Sequence, residues 1–182
     1  MKKFLLLLTA ACALSFAAFV QADTYPPEGW GTDVFKAIEK AKAEDKRVLL
    51  KFTGSDWCVY CIALEDRIFS KEEFQDYAKD ELVLVYVDSP RGIELSEWQQ
   101  THNEALRIGF NVEGFPRVIL LTPELHLSLV TGYQDLSPED YVEHLKTDTL
   151  DDSLSSEDQA EFAAEFGGFL EQVQGMLASL EE

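Results

Sequence analysis

Val48-Leu49-Leu50-Lys51-Phe52-Thr53-Gly54-Ser55-Asp56-Trp57-Cys58-Val59-Tyr60-Cys61 decides the fold. Its first six residues form a mostly apolar run of strand length, the composition of a strand covered on both faces. Gly54-Ser55-Asp56 turns the chain, and Ile62 to Phe69 reads as helix. A strand emptying into a helix that begins with Cys-x-x-Cys places Cys58 at the positive helix end. Unpaired N–H groups and the helix dipole there favour a thiolate over a thiol. Cys61 lies one turn along, close enough to close a small disulfide ring.

Working outward, Asp33 caps a helix with apolar positions Val34, Phe35, Ile38 and Ala41. Before it, Tyr25-Pro26-Pro27-Glu28-Gly29-Trp30 is an extended lead-in. Ser70-Lys71-Glu72-Glu73 has the capping-box pattern, predicting a fresh helix from Lys71 to about Lys79. Leu82 to Val87 is the clearest buried strand. Ser96 to Ile108 reads as a helix using Trp98, Ala105, Leu106 and Ile108 for contact. Gly114-Phe115-Pro116 leads into a third strand, Arg117 to Leu121, and Leu125 to Val130 returns as a fourth, broken by Gly132-Tyr133. Ser137-Pro138-Glu139 starts a helix holding Tyr141, Val142 and Leu145. This order implies an α/β fold, a mixed sheet with helices on both faces.

The N-terminus has the anatomy of a signal peptide, residues 1–22. Lys2 and Lys3 precede the apolar stretch Phe4 to Val20, and Val20-Gln21-Ala22 offers a cleavage site. The stretch is about 17 residues, at the short limit for a spanning helix. Cys12 after Thr9-Ala10-Ala11 is a disfavoured lipoprotein alternative, because it leaves Ala13 to Val20 unexplained. The expectation is a periplasmic or secreted protein with no membrane attachment after cleavage. Removal of the signal takes Cys12 with it and leaves only Cys58 and Cys61. These two must pair with each other, stay reduced, bind a metal or engage a partner.

The chain carries 15 basic and 34 acidic residues, a net charge of −19, and loss of the two signal lysines takes it to about −21. Such a surface repels nucleic acid and anionic lipid. Residues 148–182 hold ten acids and no lysine or arginine, yet Phe162, Phe166, Phe169, Leu170, Val173, Leu177 and Leu180 recur at helical steps. The expected organisation is a domain over 23–149 and an acidic amphipathic helical extension over 150–182. Gly167-Gly168 is expected to weaken or kink that helix by about 1 kcal/mol per glycine. Its apolar face docks on its own domain or serves self-association.

With the strand, the cysteine pair and Gly114-Phe115-Pro116 together, residues 32 to about 147 resemble the thioredoxin-like family. The wording Phe52-Thr53-Gly54-Ser55-Asp56-Trp57-Cys58-x-x-Cys61 is most similar to its exported bacterial thiol–disulfide oxidoreductases. The resemblance implies a three-layer sandwich with about four to five strands, plus the C-terminal helix. It carries a cis bond onto Pro116, facing the cysteines, with the Phe115 backbone offered to an extended substrate segment. Cys58 becomes the nucleophile and Cys61 the resolving thiol of a Cys58–Cys61 disulfide. Trp57 and Tyr60 would supply an apolar docking surface. The partners implied are cysteine-containing proteins and a redox partner.

Four residues depart from the family or tune the site. Lys51 stands where thioredoxin has a buried acid beneath the second cysteine. Its ammonium either reaches solvent over a packed stem or stabilises a thiolate. Asp56 works against a thiolate at Cys58, as does Glu65, and Arg117 is placed to offset Asp56. Lowering a thiol pKa from about 8.5 to about 7 raises the thiolate fraction at pH 7 roughly 16-fold. Nucleophilicity falls about 5-fold at a Brønsted slope of about 0.45, so attack gains only about 3-fold. Orientation must carry more of the rate than ionisation does.

No cofactor or metal is expected. His102, His126 and His144 lack ligand spacing, His144 reads as a solvated side chain, and no second Cys-x-x-Cys completes a zinc site. The competing reading is a thioredoxin-fold binding module with a static disulfide and a C-terminal helix that recruits a partner.

Overall fold

A computed structural model describes residues 25–147 and 155–180; the signal-peptide reading falls on residues outside these. Five strands form one mixed sheet in the order β1-β3-β2-β4-β5. They are β1 (Trp30–Gly31), β2 (Arg47–Thr53), β3 (Leu82–Asp88), β4 (Arg117–Leu121) and β5 (Leu127–Gly132). β1 and β2 flank β3 in parallel, whereas β4 runs antiparallel to β2 and β5 antiparallel to β4. The helices are α1 (Val34–Glu44), α2 (Val59–Leu64), α3 (Glu72–Glu81), α4 (Glu97–Gly109), α5 (Pro138–Lys146) and α6 (Ser156–Ala178). A π-helical turn, Glu65–Phe69, continues α2.

Strand alternation sorts the core into two layers. Val48, Leu50, Phe52, Val85 and Ile119 meet Val34, Ile38 and Ala41 of α1, Leu106 of α4, and Phe166 and Leu170 of α6. On the other face, Leu49, Leu84, Val118 and Leu120 meet Leu64, Ile68 and Phe69, Phe74 of α3, and Tyr141 and Leu145 of α5. β2 and β3 are buried almost end to end because both lie inside the sheet with helices above and below.

α6 docks on its own domain. Phe166, Leu170, Val173 and Leu177 are buried, and Phe166 packs 4.6 Å from the Phe110 ring. The buried Gln159 accepts from Leu127 N–H and donates to Leu127 C=O, both at 3.1 Å, so its amide acts as a short strand at the start of β5. Ser155 and Asp158 form a reciprocal capping box at its start. The helix runs unbroken through Gly167 and Gly168.

Several local expectations are corrected. Ser70 does not cap α3. The π-helical turn carries the helical backbone through it, so Ser70 Oγ donates to Asp66 C=O at 3.1 Å, and the extended residue before α3 is Lys71. The lead-in contains β1, too short to show alternation. β5 ends at Gly132 as expected but starts at Leu127, two residues later than Leu125, and Ile108 is exposed. His144 is half-buried, bonded to Gln134 and to Thr131 at 2.8 and 2.9 Å.

Candidate functional site

The turn from β2 into α2 is bonded through Ser55, Asp56 and Trp57 to the end of β3 and the residues that follow it. Gly54 C=O accepts from Trp57 N–H at 3.3 Å and Cys58 N–H at 2.9 Å. Ser55 donates through N–H and Oγ to the Asp88 carboxylate at 3.0 and 2.5 Å. Asp56 accepts from the N–H groups of Arg91, at 3.0 Å, and Gly92, which hold its carboxyl below the usual range. The Trp57 indole donates to Ser89 C=O at 2.8 Å, lies under the Arg91 guanidinium at 4.0 Å and meets Phe115 edge-on at 6.0 Å. A Cβ on Gly54 would collide with that indole.

Cys58 is the N-cap of α2, its Sγ accepting from Cys61 N–H at 3.3 Å. The cysteines form a disulfide with Cα atoms 5.1 Å apart, Cys58 8% and Cys61 1% exposed. The sequence brings them to this end of the sheet because Thr53 closes β2 beside Asp88. The Phe115–Pro116 bond is cis. Gly132 lies against Pro116 so closely that an added Cβ would sit 2.7 Å from Pro116 O. A groove of about 440 Å³ lies beside them, lined by Tyr60, Gly114, Phe115, Pro116, Arg117, Thr131, Gly132 and Tyr133. Tyr60 is exposed and its ring is 5.2 Å from Tyr133, whose hydroxyl accepts from Arg67 at 2.6 Å.

Lys51 does not reach solvent. It is fully buried, paired with Glu65, and its Nζ lies 5.4, 5.0 and 4.9 Å from the rings of Trp30, Phe69 and Tyr86. Burial pushes its pKa down, and Glu65 pulls it partly back. Lys51 points to the layer of Leu49, as alternation requires. Glu65 opens the π-helical turn one turn after Cys61, its N–H bonded to Cys61 C=O. Arg117 forms no ion pair with Asp56; the charge beside Asp56 is that of Arg91.

Asp88 was not anticipated. It is buried, and burial pushes its carboxyl up against the two Ser55 bonds. Behind it, Asn103 donates to Asp88 C=O at 2.9 Å, and buried His102 is bonded to Asn103. The only sequence signal was an acid at the end of a wholly apolar strand. Among the described residues, no group of three or more His, Cys, Asp or Glu is placed to hold a metal ion.

A strand-to-helix dithiol whose intervening Tyr60 lines a groove with a cis-proline defines a thiol–disulfide oxidoreductase of thioredoxin type. The chain belongs to the thioredoxin-like family, whose domain model matches residues 34–147. It is similar to the disulfide bond reductase DsbH of Chlamydia pneumoniae, with 33% identity over 62% of this chain and 68% of that protein. A solved DsbH oxidoreductase structure superposes with a TM-score of 0.61 at 32% identity, over 64% of this chain and 81% of the other. A Thermus thermophilus thioredoxin shares the fold, with a TM-score of 0.51 at 17% identity over 64% of this chain and 83% of that one.

Proposed function

We propose that this chain is an exported reductase of protein disulfides. The observation that carries the reading is the asymmetry of the pair. Cys58 caps the helix and is the more exposed cysteine, while Cys61 is almost completely covered. In the dithiol form, Cys58 thiolate attacks a substrate disulfide, forming a mixed disulfide and releasing one substrate thiolate. Cys61, deprotonated, then attacks Cys58 Sγ, releasing the second substrate thiolate. The products are the Cys58–Cys61 disulfide and two substrate thiols, which take up the two protons. A partner dithiol restores the reduced pair.

Two observations support the reducing direction. The relative of similar length is named a disulfide bond reductase. Three cations around the motif are also engaged, Lys51 by Glu65, Arg91 by the Trp57 ring, and Arg67 by Tyr133 and Asp135, while a fourth, Arg117, lines the groove beside Pro116. Thiolate stabilisation then rests mainly on the helix terminus, and a modestly stabilised thiolate keeps the couple reducing. Trp57, Tyr60, Phe115 and Pro116 form the substrate wall. Export rests on the signal peptide over residues 1–22. No described helix is long and apolar enough to cross a membrane.

The test is reduction of a disulfide-bonded peptide by the processed chain, with the potential measured against glutathione. We expect a potential more negative than about −200 mV, no turnover by Cys58→Ala, and trapped mixed disulfides with Cys61→Ser. A potential near that of the strong oxidants, about −120 mV, or turnover by Cys58→Ala, refutes the proposal. Expression of the full chain should yield an exported product, periplasmic or secreted, beginning at Asp23.

A further inference from the structure

The groove beside the cis bond differs in charge from the rest of the molecule. The chain has 34 acids against 15 basic residues, yet no acid lines this groove, and Arg117 does. Arg117 opens β4 directly after Pro116 and is half-buried. Its guanidinium makes no hydrogen bond or ion pair with any described residue, in contrast to Arg67, Arg91 and Arg107, each engaged by a neighbour. An arginine at a half-buried position keeps its charge and presents a planar fork of donors matched to a carboxylate. The walls that face it cannot fold in to satisfy it: Tyr133 is bonded to Arg67, and Gly132 is pressed against Pro116.

We propose that Arg117 is a specificity residue that reads a carboxylate on the substrate, so that preferred disulfides carry Asp or Glu within about two residues of the reacting cysteine. The inference rests on the thiol–disulfide exchange proposed above. An extended segment advances about 3.3 Å per residue, so a side chain one or two positions from its cysteine lies only about 3–7 Å further along the segment. The net charge of −19 repels acidic partners at a distance. The preference is therefore read in the bound complex, through contact with one guanidinium, and not through long-range steering.

The experiment uses three peptide disulfides identical except for Glu, Gln or Lys beside the cysteine. Two measurements are made on the processed full chain: kcat/KM for reduction, and competition among the peptides for mixed-disulfide formation with Cys61→Ser, read by mass spectrometry. The expected order is Glu, then Gln, then Lys, with a Glu-to-Lys ratio of about tenfold, equivalent to about 1.4 kcal/mol. Arg117→Gln should bring the ratio close to one, and Arg117→Glu should invert it. Each ratio is taken within one protein, so partial loss of folded material cancels. A wild-type ratio of one or less, or a ratio that survives Arg117→Gln, overturns the assignment. Adducts that form with the Glu preference but without turnover would sink the reductase reading and leave the Arg117 assignment standing. Equal turnover of all three peptides does the reverse.

Discussion

Replacing Glu65 by alanine removes the carboxylate that neutralises a lysine buried in the core. The Lys51 side chain is 1% exposed and that of Glu65 24%, so the ammonium lies in the protein while its partner retains some contact with water. Breaking a buried pair by deleting one member costs about 3–5 kcal/mol. Partial exposure of Glu65, and the ring faces of Trp30, Phe69 and Tyr86 around Nζ, place the expected loss at the lower end, about 3 kcal/mol. For a domain of this size that is about 6–12 °C in Tm.

The pH dependence has a definite sign. Burial depresses Lys51 in the folded protein below its ordinary 10.5, and Glu65 is the largest influence opposing that depression. Between the folded pKa and 10.5 the unfolded chain binds more protons, so stability rises with pH across that window. Loss of Glu65 widens the window downward, so the deficit is largest at neutral pH and shrinks as pH rises. Urea unfolding of the oxidised protein at pH 7 and 9.5 measures both effects. Lys51→Met with Glu65→Gln removes both charges and should return stability to wild type or above. A loss below about 1 kcal/mol at pH 7 for Glu65→Ala, or a double variant as unstable as the single one, refutes the argument.

Gly132→Ala forces a Cβ to within 2.7 Å of Pro116 O, and the resulting shift of the cis-proline wall should lower peptide reduction by roughly tenfold. Gly167→Ala, where an added Cβ meets nothing within 4 Å, is the contrast: turnover is kept and urea unfolding shows a gain of about 1 kcal/mol. Gln159→Ala strands the Leu127 N–H and C=O, so it should cost about 2 kcal/mol in urea unfolding. His102 accepts from Val34 N–H at 3.1 Å through Nε2, which fixes its proton on Nδ1 toward Asn103, and burial depresses its pKa despite Asp33 nearby. The unfolded chain therefore binds the extra proton below its ordinary 6.5, and stability falls as pH drops through that range. The pH dependence between 7.5 and 5.5 should be shallower in His102→Gln.

The features legible in the sequence were those set by neighbours in the chain. Unbroken apolar runs located β2 and β3, which are buried on both faces, and period-3.6 patterns located α1, α5 and α6, each of which buries one continuous face. The cysteine pair declared itself by spacing. The partner of Lys51 did not, although Glu65 is only 14 positions away. A lysine stem can reach water from an edge strand, and only the pairing of β2 between β3 and β4 removes that exit. The same holds for Arg117, which a sequence reading pairs with Asp56 on charge alone. The fold supplies Asp56 with two backbone donors and leaves Arg117 in the groove.

The end of β3 and the segment that follows it account for much of the site's geometry. Asp88, Ser89, Arg91 and Gly92 bind Ser55, Asp56 and Trp57 in turn, and Asn103 of α4 holds Asp88 from behind. Because helix-terminal ionisation gives only a few-fold gain in attack, the reaction depends on where Cys58 is held. That position is set by a motif loop tied to this segment on one side and packed against Phe115 on the other. Substitutions in residues 88–92, which carry no cysteine chemistry, should therefore lower turnover while leaving the reduction potential close to that of the wild type. Such a split between rate and potential is the signature of positioning, and a potential that moves with the rate would contradict it.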